Sequence, residues 1–163
     1  MAEVHFDEFY YDNDIDWFYR VNGINIHVAS MGHKLPRGYT DEMLKTVYAA
    51  VSGIDMAEWR EEGSVWYNEE LLRRWLRLEE ADEIGRYLAS FVVMARKGFY
   101  SFAPLTIDPM DEEYYLMAKP ARYEDKVIEG MPGKVIPPLN INEVGAFTAV
   151  PLVEWMDREW EER

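Results

Sequence analysis

Alternating apolar and polar residues predict a β-hairpin over residues 17–28. The runs 17–21 and 24–28 flank Asn22-Gly23, and Asn-Gly is favoured in a tight hairpin because a type I′ turn needs positive φ at both central residues. A two-residue turn fixes the register, and in that register one face of the hairpin is apolar throughout. The predicted buried face consists of Trp17, Tyr19, Val21, Ile24, Ile26 and Val28.

Apolar residues at helical spacing follow the hairpin. They predict helices over 41–52, 81–97 and from Pro151 onward, with shorter helices over 56–62 and after Asn68. The helix over 81–97 is expected to be central, because its last two turns are apolar nearly all round. Its predicted buried side consists of Ile84, Tyr87, Leu88, Phe91, Val92 and Ala95.

Strand-like runs return after the central helix. Residues 99–102 and 114–118 are rich in aromatic and apolar side chains and predict two further strands, with weaker candidates at 135–136 and 146–150. The simplest arrangement pairs the hairpin with 99–102 and 114–118 in one antiparallel sheet, whose apolar face the helices cover.

These elements predict a single α+β domain spanning 1–163. It contains a small antiparallel sheet with the hairpin over 17–28, a block of about four covering helices, and an amphipathic C-terminal helix within 151–163. Residues 1–16 are expected to form an arm that mixes aromatic and acidic side chains.

Composition and charge narrow the function classes. The chain of 163 residues is 48% apolar, lacks cysteine and has a formal charge of −14, so disulfides and thiolate metal sites are excluded. The charge is concentrated at the ends, with −5 in residues 1–20 and −7 in residues 98–163. This balance disfavours binding to a nucleic-acid backbone. With no membrane-spanning apolar stretch and no secretory signal, a soluble cytoplasmic protein is expected.

Candidate chemistry is sparse. The sequence has no G-x-S-x-G, phosphate-binding glycine loop or zinc-binding H-E-x-x-H, so we predict no catalytic residue, cofactor or metal. His27 and His33 form the alternative polar site, which would use nearby carboxylates. The structural interpretation makes His27 a surface side chain packed on Phe18 and His33 a loop residue.

The arginines of the helix after Asn68 form the basic cluster of the chain. Arg73 and Arg74 each follow a glutamate by four residues. This spacing predicts local ion pairs with Glu69 and Glu70 rather than an anion-binding site.

The aromatic-acidic arm favours an interaction protein. Aromatic side chains supply contact area and flanking acids select basic partners. The predicted partner-binding residues are Phe9, Tyr10, Tyr11, Asp12, Asp14 and Asp16.

Three functional hypotheses therefore remain open. The first is an acidic, non-enzymatic interaction module (an inhibitor, immunity-type or adaptor protein) that binds a basic protein partner. The second is a small hydrolase or ligand-binding domain that uses His27 or His33. The third is a structural subunit of a homo-oligomer, joined through the helix carrying Trp155 and Trp160 or through a sheet edge.

Overall fold

A computed structural model describes residues 15–106, 112–123 and 127–160. The strands are β1 (Asp16–Val21), β2 (Ile24–Ala29), β3 (Val65–Tyr67), β4 (Tyr100–Ala103), β5 (Tyr115–Pro120) and β6 (Gly133–Lys134). The α-helices are α1 (Asp41–Ser52), α2 (Glu69–Arg74), α3 (Ala81–Arg96) and α4 (Leu152–Asp157), and short 3₁₀ turns lie at Met56–Glu58, Glu62–Ser64 and Ile141–Glu143. These described elements form the predicted α+β fold with its C-terminal helix.

The hairpin has the predicted turn and register. Asn22 and Gly23 adopt φ values of +50° and +79°, as a type I′ turn requires. β1 and β2 pair so that Phe18 lies opposite His27 and Trp17 opposite Val28. The predicted face is buried or half-buried in every position, but the other face is buried as well, since Phe18 is enclosed.

The sheet has six strands in the order β3-β5-β4-β2-β1-β6. It is mixed rather than purely antiparallel, because β4 pairs parallel with β2 and β6 pairs parallel with β1. The expectation of a small antiparallel sheet is wrong on this point. The reason is the connection: α1, α2 and α3 lie between β2 and β4 and provide the long crossover that parallel pairing requires. The three-residue edge strand β3 is absent from the sequence-based prediction.

Both faces of the sheet are covered, by different parts of the chain. Helix α3 packs its buried residues, Leu88 and Phe91 among them, against the face that carries Met117 of β5. The hairpin face predicted to lie under the helices is instead covered largely by the loop around Tyr39, the start of α1, and segment 136–156. The prediction of which hairpin residues are buried is therefore correct. The prediction that the helices cover this face is wrong for most of it.

Side-chain caps begin α1 and α2. α1 spans the predicted residues, and the Thr40 hydroxyl accepts a hydrogen bond from the Met43 amide (3.1 Å) as a helix N-cap does. α3 ends one residue before its predicted end. α2 stops at Arg74, and its C-cap residue Trp75 is 48% exposed. Among the described residues, no helix combines the length and apolar character needed to cross a bilayer.

Candidate functional site

The strand registers place His27 in the interior of the domain. β1 sets Phe18 opposite His27, and the parallel partner β4 sets Ser101 beside it. The imidazole packs against the rings of Phe18 (centroids 5.2 Å apart) and Phe91 of α3 (6.4 Å). His27 is 1% exposed, so its expected surface position is wrong. The strand face that carries it was expected to meet solvent, whereas α3 covers it.

His27 lies between a hydroxyl and a carboxylate. Its Nδ1 is 2.6 Å from Ser101 Oγ, and its Nε2 is 3.3 Å from an Asp16 carboxylate oxygen. Nε2 is within ion-pair distance of Asp16, but it makes no hydrogen bond of acceptable geometry. We therefore regard the Ser101 contact as the strong one and the Asp16 contact as a weaker electrostatic one. Serine, histidine and aspartate are neighbours as in a catalytic triad, but the ring nitrogens are exchanged, because in the triad Nε2 faces the serine and Nδ1 faces the aspartate.

Whether this arrangement can catalyse a reaction depends on whether a substrate can reach the serine hydroxyl. A nucleophilic hydroxyl must reach its substrate, but Ser101 is fully buried in the middle of β4. Asp16, whose side chain is 37% exposed, is the one member of the three that meets solvent. None of the three surface cavities around β3, α2 and α3 is lined by His27, Ser101 or Asp16. The cluster thus joins β1, β2 and β4 through polar contacts inside the fold.

His33 occupies a second, separate polar environment. It is 2% exposed, and its Nε2 donates a hydrogen bond to the Thr106 carbonyl (2.7 Å) while its ring meets Tyr114 edge-on. Met31 and Gly32 have positive φ, and this turn directs His33 inward. The residues that contact His33 differ from those that contact His27. The two histidines therefore do not form the single polar site that the sequence suggested.

Within the described residues, no cluster of three or more histidine, aspartate or glutamate side chains is placed to hold a metal ion. Arg73 and Arg74 pair with Glu69 (2.6 Å) and Glu70 (3.4 Å) as their spacing predicts. The predicted local ion pairs of the basic cluster are therefore confirmed.

An open groove lies between β3, the start of α2 and the exposed side of α3. Its volume is about 350 Å³. The floor is apolar, with the side chains of Ile84 and Leu88, and the 46% exposed ring of Tyr67 forms one wall. Two shallower depressions share residues with it and extend it along α2 and along α3. Apolar clefts of this size are where proteins receive ligands or partner side chains.

Strand β3 offers a sheet edge beside this groove. Asn68 donates its backbone N–H to the Met117 carbonyl of β5 (2.8 Å). Because inward and outward backbone groups alternate along an antiparallel strand, the peptide groups of Val65 and Tyr67 point away from β5. With β3 outermost in the sheet order, those groups form the kind of edge on which another chain can pair.

The predicted partner-binding arm lies mostly outside the described residues. This holds for Phe9, Tyr10, Tyr11, Asp12 and Asp14, whereas Asp16 begins β1. Sequence alone also missed two features: the His27–Ser101 contact and the groove. Both depend on contacts between distant parts of the chain, and the one local signal for the groove was the glycine within α3, at position 85.

Trp155 and Trp160, the residues of one predicted oligomer interface, pack partly within the domain itself. Both indoles are half-buried against the core that includes Leu152, and the Trp160 indole N–H donates to the Trp155 carbonyl (3.1 Å). The guanidinium of Arg158 lies 5.0 Å from the Trp160 ring. Both rings keep part of their surface exposed, so this interface stays a prediction.

Comparison with known proteins gives no relative: the chain matches no protein-family profile, no curated protein and no solved structure.

Proposed function

We propose that this protein is an acidic, non-enzymatic interaction module that binds a basic protein partner. The observation that carries the proposal is the uneven distribution of charge along the chain. Residues 1–20 have a net charge of −5 and residues 98–163 a net charge of −7, which together make twelve of the fourteen net negative charges. The groups best suited to catalysis, His27, His33 and Ser101, lie inside the fold and hydrogen-bond there.

Residues 1–14 are the strongest candidate for the partner-binding segment. They contain five acids, four aromatic residues and no lysine or arginine. Such a segment attracts a basic surface over a distance, which raises the association rate, and its rings then provide apolar contact area. Because exposed charges are screened by salt within about 8–10 Å at physiological ionic strength, binding is expected to weaken as salt rises.

Affinity capture from the source cell, followed by rate measurements on the captured protein, tests this proposal. The variant Asp7→Lys/Asp12→Lys/Asp14→Lys reverses charge within the arm. Glu79→Lys/Glu80→Lys/Glu83→Lys makes the same charge change around the start of α3 and serves as the matched control. We expect the arm variant to lose a basic partner that the wild type and the control retain. Equal recovery of the same proteins by all three forms contradicts the proposal.

A hydrolase is the second candidate, and the 2.6 Å contact between Ser101 and His27 favours it. For this function the packing that buries Ser101 must open, so that its hydroxyl can meet a substrate. A fluorophosphonate probe, which reacts with activated serines, separates the two functions. The interaction module predicts no labelling, whereas labelling that disappears in Ser101→Ala supports the hydrolase.

A further inference from the structure

The groove beside α3 has a charged side chain near each end. Asp82 lies in the first turn of α3 and Arg96 is its last residue, about 21 Å apart at 1.5 Å per residue. Arg96 lines the groove, and Asp82 lines the depression that continues it. Arg96 is held in place by a hydrogen bond from its Nε to the Arg60 carbonyl (2.9 Å) and by the Trp59 ring, 5.5 Å away.

Between Asp82 and Arg96, the surface of α3 has a hollow at Gly85 and a protruding side chain at Val93. Gly85 lies toward the start of the groove and Val93 toward its end. Nothing lies within 4 Å of the position that a side chain at Gly85 would occupy. Glycine inside a helix costs about 1 kcal/mol relative to alanine, and the isolated chain shows no neighbour that requires it there.

The small and large side chains and the two charges of α3 match those of a second copy of the helix that runs in the opposite direction. If two copies of α3 pack antiparallel around Ala89, residues whose numbers are equally far from 89 face one another. Gly85 of one copy then faces Val93 of the other, so a protrusion meets a hollow, and this occurs twice. Asp82 of one copy likewise faces Arg96 of the other, which gives two ion pairs across the two-fold axis.

We infer that the groove of α3 is a homodimer interface in which a second copy of this chain packs its α3 antiparallel, Gly85 against Val93 and Asp82 against Arg96. The charges indicate that the groove receives a second copy of this chain. A helix with an acid at its start and an arginine at its end is complementary in charge to an antiparallel copy of itself. The half-buried side chains of Val92 and Val93, which line the groove, become covered in this arrangement. The inference is independent of partner binding by residues 1–14, so either can hold without the other.

Sedimentation equilibrium of the full chain tests the inference. The wild type is expected at twice its monomer mass of 19.2 kDa. Gly85→Leu fills the hollow and is expected to give a monomer that is still folded, since the side chain meets open space in the single copy. A wild type that stays monomeric up to its solubility limit overturns the inference, and so does a dimer unaffected by Gly85→Leu.

A charge swap tests the antiparallel register. Asp82→Arg places two arginines together at each end of the α3–α3 interface and is expected to lower the association constant of the dimer at least tenfold. The double variant Asp82→Arg/Arg96→Glu is expected to restore this constant. Glu83→Arg is the matched control, since the neighbouring position lies about 100° further round the helix and its reversal leaves the dimer intact. Circular dichroism confirms that each variant is folded. Loss of the dimer in the control, or failure of the double variant to restore it, overturns the register.

Discussion

The hydroxyl of Ser101 and Nδ1 of His27 lie 2.6 Å apart, and both side chains are buried. The contact links β4 to β2 across their parallel pairing. A buried imidazole needs such a partner, because an unsatisfied polar group in the interior loses its hydration without compensation. The Ser101 hydroxyl therefore stabilises the fold whatever else it does.

Ser101→Ala is expected to lower the free energy of unfolding by about 1–3 kcal/mol, the cost of leaving a buried polar group without its partner. Urea denaturation measures the change. Ser90→Ala, on the exposed side of α3, is the control and should stay within about 0.5 kcal/mol of the wild type. An equal effect of the two substitutions contradicts the structural role of the His27–Ser101 contact.

The turn of the hairpin provides a second prediction. Gly23 has φ of +79° and nothing within 4 Å of its missing side chain, so a substitution there is disfavoured by the backbone alone. We expect Gly23→Ala to cost about 1–2 kcal/mol, the penalty of a left-handed conformation for an L-residue. Thermal unfolding measures it. Gly63 also has open space but no positive φ, so a similar loss in Gly63→Ala would contradict this explanation.

The fold was predictable where local signals sufficed. Asn22-Gly23 fixes the hairpin register without reference to the rest of the chain, and the apolar stripe and cap of α1 fix its ends. The Asn22 side chain does more than its turn propensity indicates: its amide donates to the carbonyls of Ile136 (2.9 Å) and Leu139 (2.8 Å). No local pattern reveals that the turn is bonded to a segment more than 110 residues away.

The candidate site was less predictable because it depends on non-local pairing. The alternation in β2 assigned His27 correctly to the face opposite Ile26. It could not show that α3 would cover that face, nor that β4 would lie parallel to β2 and bring Ser101 alongside. The edge strand β3 is only three residues long and is too short to show a period of its own.

The central helix gives a third prediction. Phe91 is 6% exposed and packs against both His27 and Tyr87. Phe91→Ala is expected to destabilise the protein by about 3–5 kcal/mol, through lost burial and the cavity left behind. The neighbouring Val92 is partly exposed at the groove, so Val92→Ala should cost clearly less. Equal midpoints of the two variants in urea would contradict the placement of Phe91 in the core.

Tyr39 is expected to make the stability of the protein sensitive to alkali. Burial raises the pKa of its hydroxyl above the ordinary value, and the hydroxyl both donates to the Phe18 carbonyl and accepts from the Phe18 amide (3.1 Å each). The unfolded chain ionises near pH 10 while the folded chain stays neutral, so stability is fully present below about pH 10 and falls as the pH rises above it.

Tyr39→Phe tests this linkage. At neutral pH the variant should be less stable by about 1–3 kcal/mol, because the buried Phe18 backbone groups lose a partner. Above about pH 10 the difference between the two proteins should shrink, since the variant has no hydroxyl at this position to ionise in the unfolded state. Urea denaturation at a series of pH values measures both effects. A difference that stays constant across the alkaline range contradicts the argument.

Association kinetics give the sharpest test of the proposed function. Asp12→Asn/Asp14→Asn removes two charges from the arm without touching Asp16, whose carboxylate faces His27. If the arm attracts a basic partner over a distance, the association rate constant should fall while the dissociation rate constant changes little, because exposed charges act mainly on encounter. The difference from wild type should vanish at high salt. A change confined to dissociation would mean that the two aspartates make close contacts in the complex rather than directing the approach of the partner.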